Sequence, residues 1–176
     1  TLNNAGGDEK TLLIADDLEI DNDLTLTDGT LNLDTNNPAI SIGGDLAISD
    51  GAVWTKGSGI VTFDGATQLL SDANTIPNDL GNALVNSYIS MNVATNATVT
   101  SFEISSNSKS IVDSSAIFMI TGALAITGEL EMADSSVVDV GGNVTVAAAG
   151  TLDMDGTSRL KMEEDLSFSG TLEASD

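Results

Sequence analysis

The chain has 176 residues, room for one domain with a sizeable core, and its 27 Asp plus Glu stand against 5 Lys plus Arg for a formal charge of −22. A field of that sign repels nucleic acid and anionic membrane surfaces, so neither is an expected partner, and no run of about 18 apolar residues is present to insert into a bilayer. Cysteine and histidine are both absent, which excludes a disulfide framework, a thiolate or imidazole metal site and a Ser-His nucleophile.

Aromatic residues make up only 3% of the chain, so the core must be aliphatic. Along the chain, short apolar pairs with one residue between them recur. The first are Leu18/Ile20, Leu24/Leu26, Leu31/Leu33, Ile40/Ile42, Leu46/Ile48 and Val61/Phe63, with Val53 single. An i, i+2 spacing puts both side chains on one face of a strand. Residues 64–101 blur the pattern: apolar positions such as Leu69, Leu80, Leu84, Val85, Ile89, Met91, Val93 and Val99 are less regular. A protruding loop or bulged coils are expected there, with a short helix over Pro77–Val85 capped by Thr75. The pairs then resume as Phe102/Ile104, Phe118/Ile120, Leu124/Ile126, Leu130/Met132, Val138/Val140, Val144/Val146, Leu152/Met154, Leu160/Met162 and Leu166/Phe168.

The pairs group in threes. Leu24 to Leu46 and Phe102 to Leu124 each span 22 residues, Leu124 to Val144 spans 20, and Val144 to Leu166 spans 22. Gly29, Gly51, Gly128, Gly150 and Gly170 follow strands of these triplets and read as one repeated corner, where positive φ or close backbone approach is needed. The repeat predicts an all-β fold: a right-handed parallel β-helix with three short strands per coil of about 20–22 residues. It forms one domain over 1–176, regular at 12–63 and 102–176 and irregular or looped at 64–101. The competing fold is an antiparallel sandwich, which would place hairpin dipeptides between strands. Asn-Gly does not occur, and two of the four Asp-Gly pairs, Asp28-Gly29 and Asp50-Gly51, sit at the same coil position.

The outward residues predict two contrasting faces. One is small and largely uncharged, carrying Thr25, Thr27, Ala47, Ser49, Ala125, Thr127, Thr145 and Ser167 with a single Glu103. Such a surface suits packing on a neighbouring chain or an ordered glycan. A flat Thr-rich face also suits ice, although only Thr25-Leu26-Thr27 is a full Thr-x-Thr, and Thr and Ser suit any pleated surface. The other face is acidic, with Asp34, Glu129, Glu131, Asp153, Asp155 and Glu173. Carboxylates stacked on neighbouring rungs about 4.8 Å apart repel one another, and oxygen-only ligands suit a hard ion such as Ca²⁺. The candidate metal ligands are Asp21, Asp23, Glu129, Glu131, Asp153 and Asp155. The bland alternative is a solvated acidic surface: no EF-hand loop is present, and Gly6-Gly7-Asp8 and Gly43-Gly44-Asp45 fall short of a glycine-rich calcium repeat. Trp54, the only Trp, is expected to point outward beside Val53 and to serve as a contact residue.

No catalytic set is expected. The carboxylates spread along regular faces rather than flanking a cleft. Of the basic residues Lys10, Lys56, Lys109, Arg159 and Lys161, the last two lie beside Glu163 and Glu164 and read as local charge pairing. Asn96 and Asn143 open Asn-x-Thr glycosylation acceptors. No capping element is recognisable at either end, and 169–174 still follow the repeat.

The run Gly57-Ser58-Gly59-Ile60-Val61-Thr62-Phe63-Asp64-Gly65-Ala66-Thr67-Gln68-Leu69-Leu70 resembles a recurring segment of large repetitive bacterial surface proteins. Gly29-Thr30-Leu31-Asn32-Leu33, Gly150-Thr151-Leu152-Asp153-Met154 and Gly44-Asp45-Leu46-Ala47-Ile48 are similar to the coils that follow it. The chain departs from that pattern at Ala66–Gln68, one residue shorter, and through Asn74–Asn82. The resemblance implies a secreted or cell-surface adhesin, autotransporter-passenger or filament-like protein. The expected function is therefore that of an extracellular structural module, a stalk or filament subunit whose partners are copies of itself or adjacent coils of a longer chain. An adhesin-type binding module for glycan is the alternative; ice binding and polysaccharide cleavage are remoter ones.

Overall fold

The computed structural model describes residues 11–86 and 90–175. Gly6-Gly7-Asp8, Lys10 and Ile89 lie outside the described residues. The fold is all-β, a parallel β-solenoid of about seven turns with three strands per coil. Face I is an eight-stranded sheet of β2 (Leu18–Ile20), β5 (Ile40–Ile42), β8 (Ile60–Phe63), β10 (Asn82–Val85), β13 (Ser101–Ile104), β16 (Leu124–Ile126), β19 (Val144–Val146) and β22 (Leu166–Phe168). Face II is a second eight-stranded sheet of β3 (Leu24–Leu26), β6 (Leu46–Ile48), β9 (Thr67–Asp72), β11 (Ser90–Val93), β14 (Lys109–Val112), β17 (Glu129–Met132), β20 (Thr151–Asp155) and β23 (Thr171–Ser175). Face III comes in two pieces: β1 (Thr11–Leu13), β4 (Thr30–Asn32) and β7 (Val53–Thr55), then β12 (Ala97–Val99), β15 (Ile117–Ile120), β18 (Val137–Val140) and β21 (Arg159–Met162).

Every strand pairing is parallel, which disposes of the sandwich. In a parallel coil each residue sits over its counterpart one turn away, so side chains form columns. On face I one inward column runs Leu18, Ile40, Val61, Ala83, Phe102, Leu124, Val144, Leu166. All but its two end members are buried. Each such aliphatic side chain contributes roughly 1.5–3 kcal/mol on burial, which is why small β-branched and Leu residues suffice without a large aromatic core. Phe102 and Phe118 add an edge-to-face contact across the core, centroids 4.8 Å apart at 89°.

The stretch 64–101 keeps the ladder rather than abandoning it. β9, β10, β11 and β12 pair in register with their neighbours, and Leu80, Val85, Met91, Val93 and Val99 join the core. The expected helix over Pro77–Val85 is absent: Asn82–Val85 is strand β10. Parallel pairing on both sides, with β8 and β13, outweighs the weak local helix signal of Thr75 and Pro77.

Only face III breaks, where residues 73–81 stand in place of a strand. Asp72, 5% exposed, holds this segment. Its carboxylate accepts from the backbone N–H of Asn74 (2.9 Å) and Asn78 (2.7 Å), and from the side-chain amides of both (2.7 and 2.9 Å). The two asparagines then cap the preceding coil. Asn74 accepts from Gly51 N–H and Asn78 from Trp54 N–H, each at 2.9 Å, while both amides donate to the Ala52 carbonyl. An Asp79–Thr98 bridge restarts the ladder.

The five corner glycines occupy two different corners. Gly29 and Gly51 follow face II and have φ of 84° and 82°. Gly128, Gly150 and Gly170 follow face I, at corners where the backbone of the preceding coil passes so close that a Cβ would strike carbonyl oxygens. The 20- and 22-residue spacings hold within each half, but the two halves are out of phase by one strand.

Two stability measurements follow. Gly150→Ala forces its Cβ onto the Ile126 carbonyl, whereas the position of Gly51 has open space and only a positive φ to lose. By chemical denaturation, Gly51→Ala is expected to cost about 1–2 kcal/mol and Gly150→Ala more. Asp72→Ala strands four N–H donors and is expected to cost about 3 kcal/mol or more.

Candidate functional site

The phase shift rearranges the predicted faces. Thr25 and Ala47 lie on face II, whereas Ala125, Thr145 and Ser167 lie on face I beside Glu103. Thr27 and Thr127 are corner residues after β3 and β16. Thr25, Thr27, Thr127 and Thr145 therefore do not share one flat surface. The reason is that apolar pairs look alike on all three faces, so spacing counts coils without saying which side a strand is on.

Trp54 is reversed as well. It is 4% exposed, and Val53 takes the outward place. Register decides this: Trp54 stacks on the buried Leu31, and Val53 on the outward Thr30. The indole Nε1 is buried with no hydrogen-bond partner.

The acidic residues do gather on face II. Glu131, Asp153 and Glu173 form one column across β17, β20 and β23, with Glu129 and Asp155 flanking it. Asp34 sits apart, in the corner after β4. Carboxylate oxygens of Glu129, Glu131 and Asp153 lie within 4.8 Å of one another. Sequence reasoning missed their counter-ion, Lys109 on β14. Its ammonium bonds Glu129 at 2.6 Å and also pairs with Glu131. The signal was available: Lys109 precedes Glu129 by one coil, and the register places them side by side. Lys109 therefore fills the place between Glu129 and Glu131 that a hard cation would take. Partial burial pulls the Lys109 ammonium down, but hydrogen bonds and charge from Glu129 and Glu131 outweigh it and hold its pKa above the ordinary lysine value.

Among the described residues Asp153 has no such counter-ion. Desolvation, then the charges of Asp155, Glu173, Glu131 and Glu129, holds its carboxyl above the ordinary value. Asp155 is bonded by the Ser175 hydroxyl.

The other predicted ligands, Asp21 and Asp23, join no such group among the described residues. They lie in the corner between β2 and β3, where the Asp23 carboxylate accepts from Asp45 N–H at 2.9 Å. This is a recurrent device. Asn37 accepts from Ser58 N–H at 2.7 Å, Asn96 from Ile117 N–H at 2.9 Å, and Asn143 from Asp165 N–H at 3.1 Å. Each ties one corner to the next coil, so the exposed Asn96 and Asn143 are coil staples whatever else they carry. Asp134 does the same to Thr157, whose backbone N–H and then hydroxyl hold the Asp134 carboxyl below its ordinary value.

The basic residues are also rearranged. Lys161 pairs with Asp139 on the neighbouring β18 at 3.4 Å, and Lys56 pairs with Asp79. Arg159 makes no ion pair among the described residues.

Comparison with known protein families, with curated proteins and with solved structures finds no match to this chain.

The raised Asp153 carboxyl means that the folded chain takes up a proton here more readily than the unfolded chain. Stability from this site therefore rises as pH falls from neutral through the raised value, and levels off below the ordinary carboxylate value. Asp134 has the opposite sign: its contribution is present above the ordinary value and lost as pH falls through the lowered one. In thermal unfolding at low salt, Asp153→Asn is expected to raise Tm at neutral pH and to shrink the gain on mild acidification. An unchanged profile would show that the crowding on face II carries no stability cost.

Proposed function

We propose that this chain is a non-catalytic structural module, a stalk or filament unit of the extracellular or cell-surface kind, whose work is extension and contact. One observation carries the reading: the coil of β21, β22 and β23 presents an uncovered layer of core. Leu166, Phe168 and Leu172 are 48%, 38% and 59% exposed, while the same columns are buried one coil earlier at Val144, Val146 and Leu152. The three strands also carry unpaired edges in register with the ladder. Such a layer seats another coil, from a second copy or from more of the same chain. A head-to-tail contact of this type does not close and so builds filaments.

The resemblance to repetitive surface proteins supports the extracellular placement, and the high negative charge suits a soluble surface protein. The glycan-binding alternative leaned on an outward Trp54. With that ring buried, the exposed aromatic among the described residues is Phe168, which belongs to the uncovered core layer of the last coil rather than to an outer face, and extension is favoured.

Electron microscopy of the 176-residue chain over a range of concentrations tests this, with and without millimolar Ca²⁺. Filaments are expected, and Phe168→Glu with Leu172→Glu is expected to abolish them by placing charge in the joint. Dispersed particles in every condition would sink self-assembly.

A further inference from the structure

Face III differs from the rest of this acidic surface. Its outward strand positions hold Arg159 and Lys161 against a single carboxylate, Asp139, whereas those of face II hold five carboxylates against Lys109. Face III also carries exposed apolar side chains away from the solenoid ends: Val53, Ile117, Met119 and, on the segment that replaces its missing strand, Ile76 at 86% exposure. That segment is not loose. The Asp72–Asn74–Asn78 network fixes both sides of Ile76 against β7.

The two faces match at three of their coils. Arg159 and Lys161 on β21 belong to the same coil as Asp153 and Asp155 on β20. Ile117 and Met119 share a coil with Ile111 on face II, and Ile76 shares one with Leu69, itself exposed. A second copy placed alongside, with no shift along the axis, would set Arg159 and Lys161 against Asp153 and Asp155, Ile117 and Met119 against Ile111 beside Lys109, and Ile76 against Leu69; at the coil of β17 and β18, Asp139 would meet Glu129 and Glu131, whose charges Lys161 and Lys109 already offset within each chain. Among the described residues Arg159 has no ion-pair partner, and the charges that act on Asp153 are all carboxylates.

We propose that copies of this chain associate side by side and in parallel, face III of one against face II of the next, with Arg159 and Lys161 meeting Asp153 and Asp155 of the neighbour. The contact is heterologous, since it uses two different surfaces. It draws on the structural reading above for the nature of the partner but uses the flanks of the solenoid rather than its ends. Its dependence on charge makes it sensitive to salt, because exposed pairs are screened within about 10 Å at 0.1 M ionic strength.

Sedimentation velocity of the 176-residue chain at low and high salt tests it, with two charge-reversed variants. Arg159→Glu with Lys161→Glu leaves both faces acidic, and Asp153→Lys with Asp155→Lys leaves both faces basic at that coil. Each variant alone is expected to lose association by about tenfold or more. Mixed in equal amounts, they are expected to regain it, because each supplies the charge that the other lacks; regain in the mixture also shows that both are folded. The parent's association is expected to weaken in high salt, and Ile76→Ser is expected to weaken it at either salt. A parent that stays monomeric at low salt, variants that associate like the parent, or a mixture that stays apart would each overturn the proposal. The Phe168→Glu, Leu172→Glu chain separates the two contacts: it is expected to lose end-to-end growth and keep lateral association, while the flank variants do the reverse.

Discussion

Parallel stacking of each residue on its counterpart one coil away is the constraint on which everything else in this molecule depends. Neighbouring strands lie about 4.8 Å apart, so whatever a position holds is repeated into a column. Inside, the column rewards repetition: Leu, Ile, Val and Phe follow one another along face I and bury almost completely. Outside, the same geometry penalises like charge. Glu131, Asp153 and Glu173 fall into one column because their strands must stay in register, and desolvation, with the repulsion of these neighbours added to it, holds the Asp153 carboxyl high. Lys109 relieves one end of that column and leaves the other unrelieved.

The corners answer to a related constraint. Strands of three to six residues leave much of each coil in turns, where ladder hydrogen bonds are interrupted and backbone groups need other partners. Asp and Asn side chains supply them, reaching one coil along the axis, as at Asp23, Asn37, Asn96 and Asn143. Part of the acidic composition is thus structural, though Asp23 and Asn37 do the same work and only one carries charge. The buried Asp72 is the extreme case. Where a whole strand is missing, its carboxylate organises two asparagines that together occupy the edge of β7.

This division explains which parts of the architecture could be read from the sequence. The i, i+2 apolar pairs and the 20–22-residue spacing report burial and coil length directly, and both are local to a strand and its neighbour. Facing is not local. Apolar pairs on all three faces look alike, so the strand of Leu24 and the strand of Leu124 were equated although one lies on face II and the other on face I. The same ambiguity turned Val53 inward and Trp54 outward, and only the register with Thr30 and Leu31 corrects it. The acidic cluster was legible because Glu129, Glu131, Asp153 and Asp155 are neighbours within adjoining coils. Lys109, one coil before Glu129, carries the same signal; Asp72 does not, because it is a charged residue at a buried position, which patterning alone assigns to solvent.

A solenoid built from near-identical coils has no natural cleft, and its capacity for specific contact must come from differences between faces and along the axis. Both kinds of difference are present. Faces I and II have unbroken ladders, while face III is interrupted, and its interruption is the rigid segment that lifts Ile76 into solvent. Along the axis, face II runs from Thr25 and Ala47 to Asp153 and Asp155, and face III from Val53 and Ile76 to Arg159 and Lys161. A chain with uniform faces could slide against a neighbour by any number of coils at little cost, because every rung offers the same contact. Polarity confined to one end removes that freedom: a shift by a few coils would set the basic pair beside uncharged rungs and leave the carboxylates facing each other unrelieved. Register along the axis, which the ladder enforces inside the molecule through hydrogen bonds, would thus be carried between molecules by where the charged rungs lie.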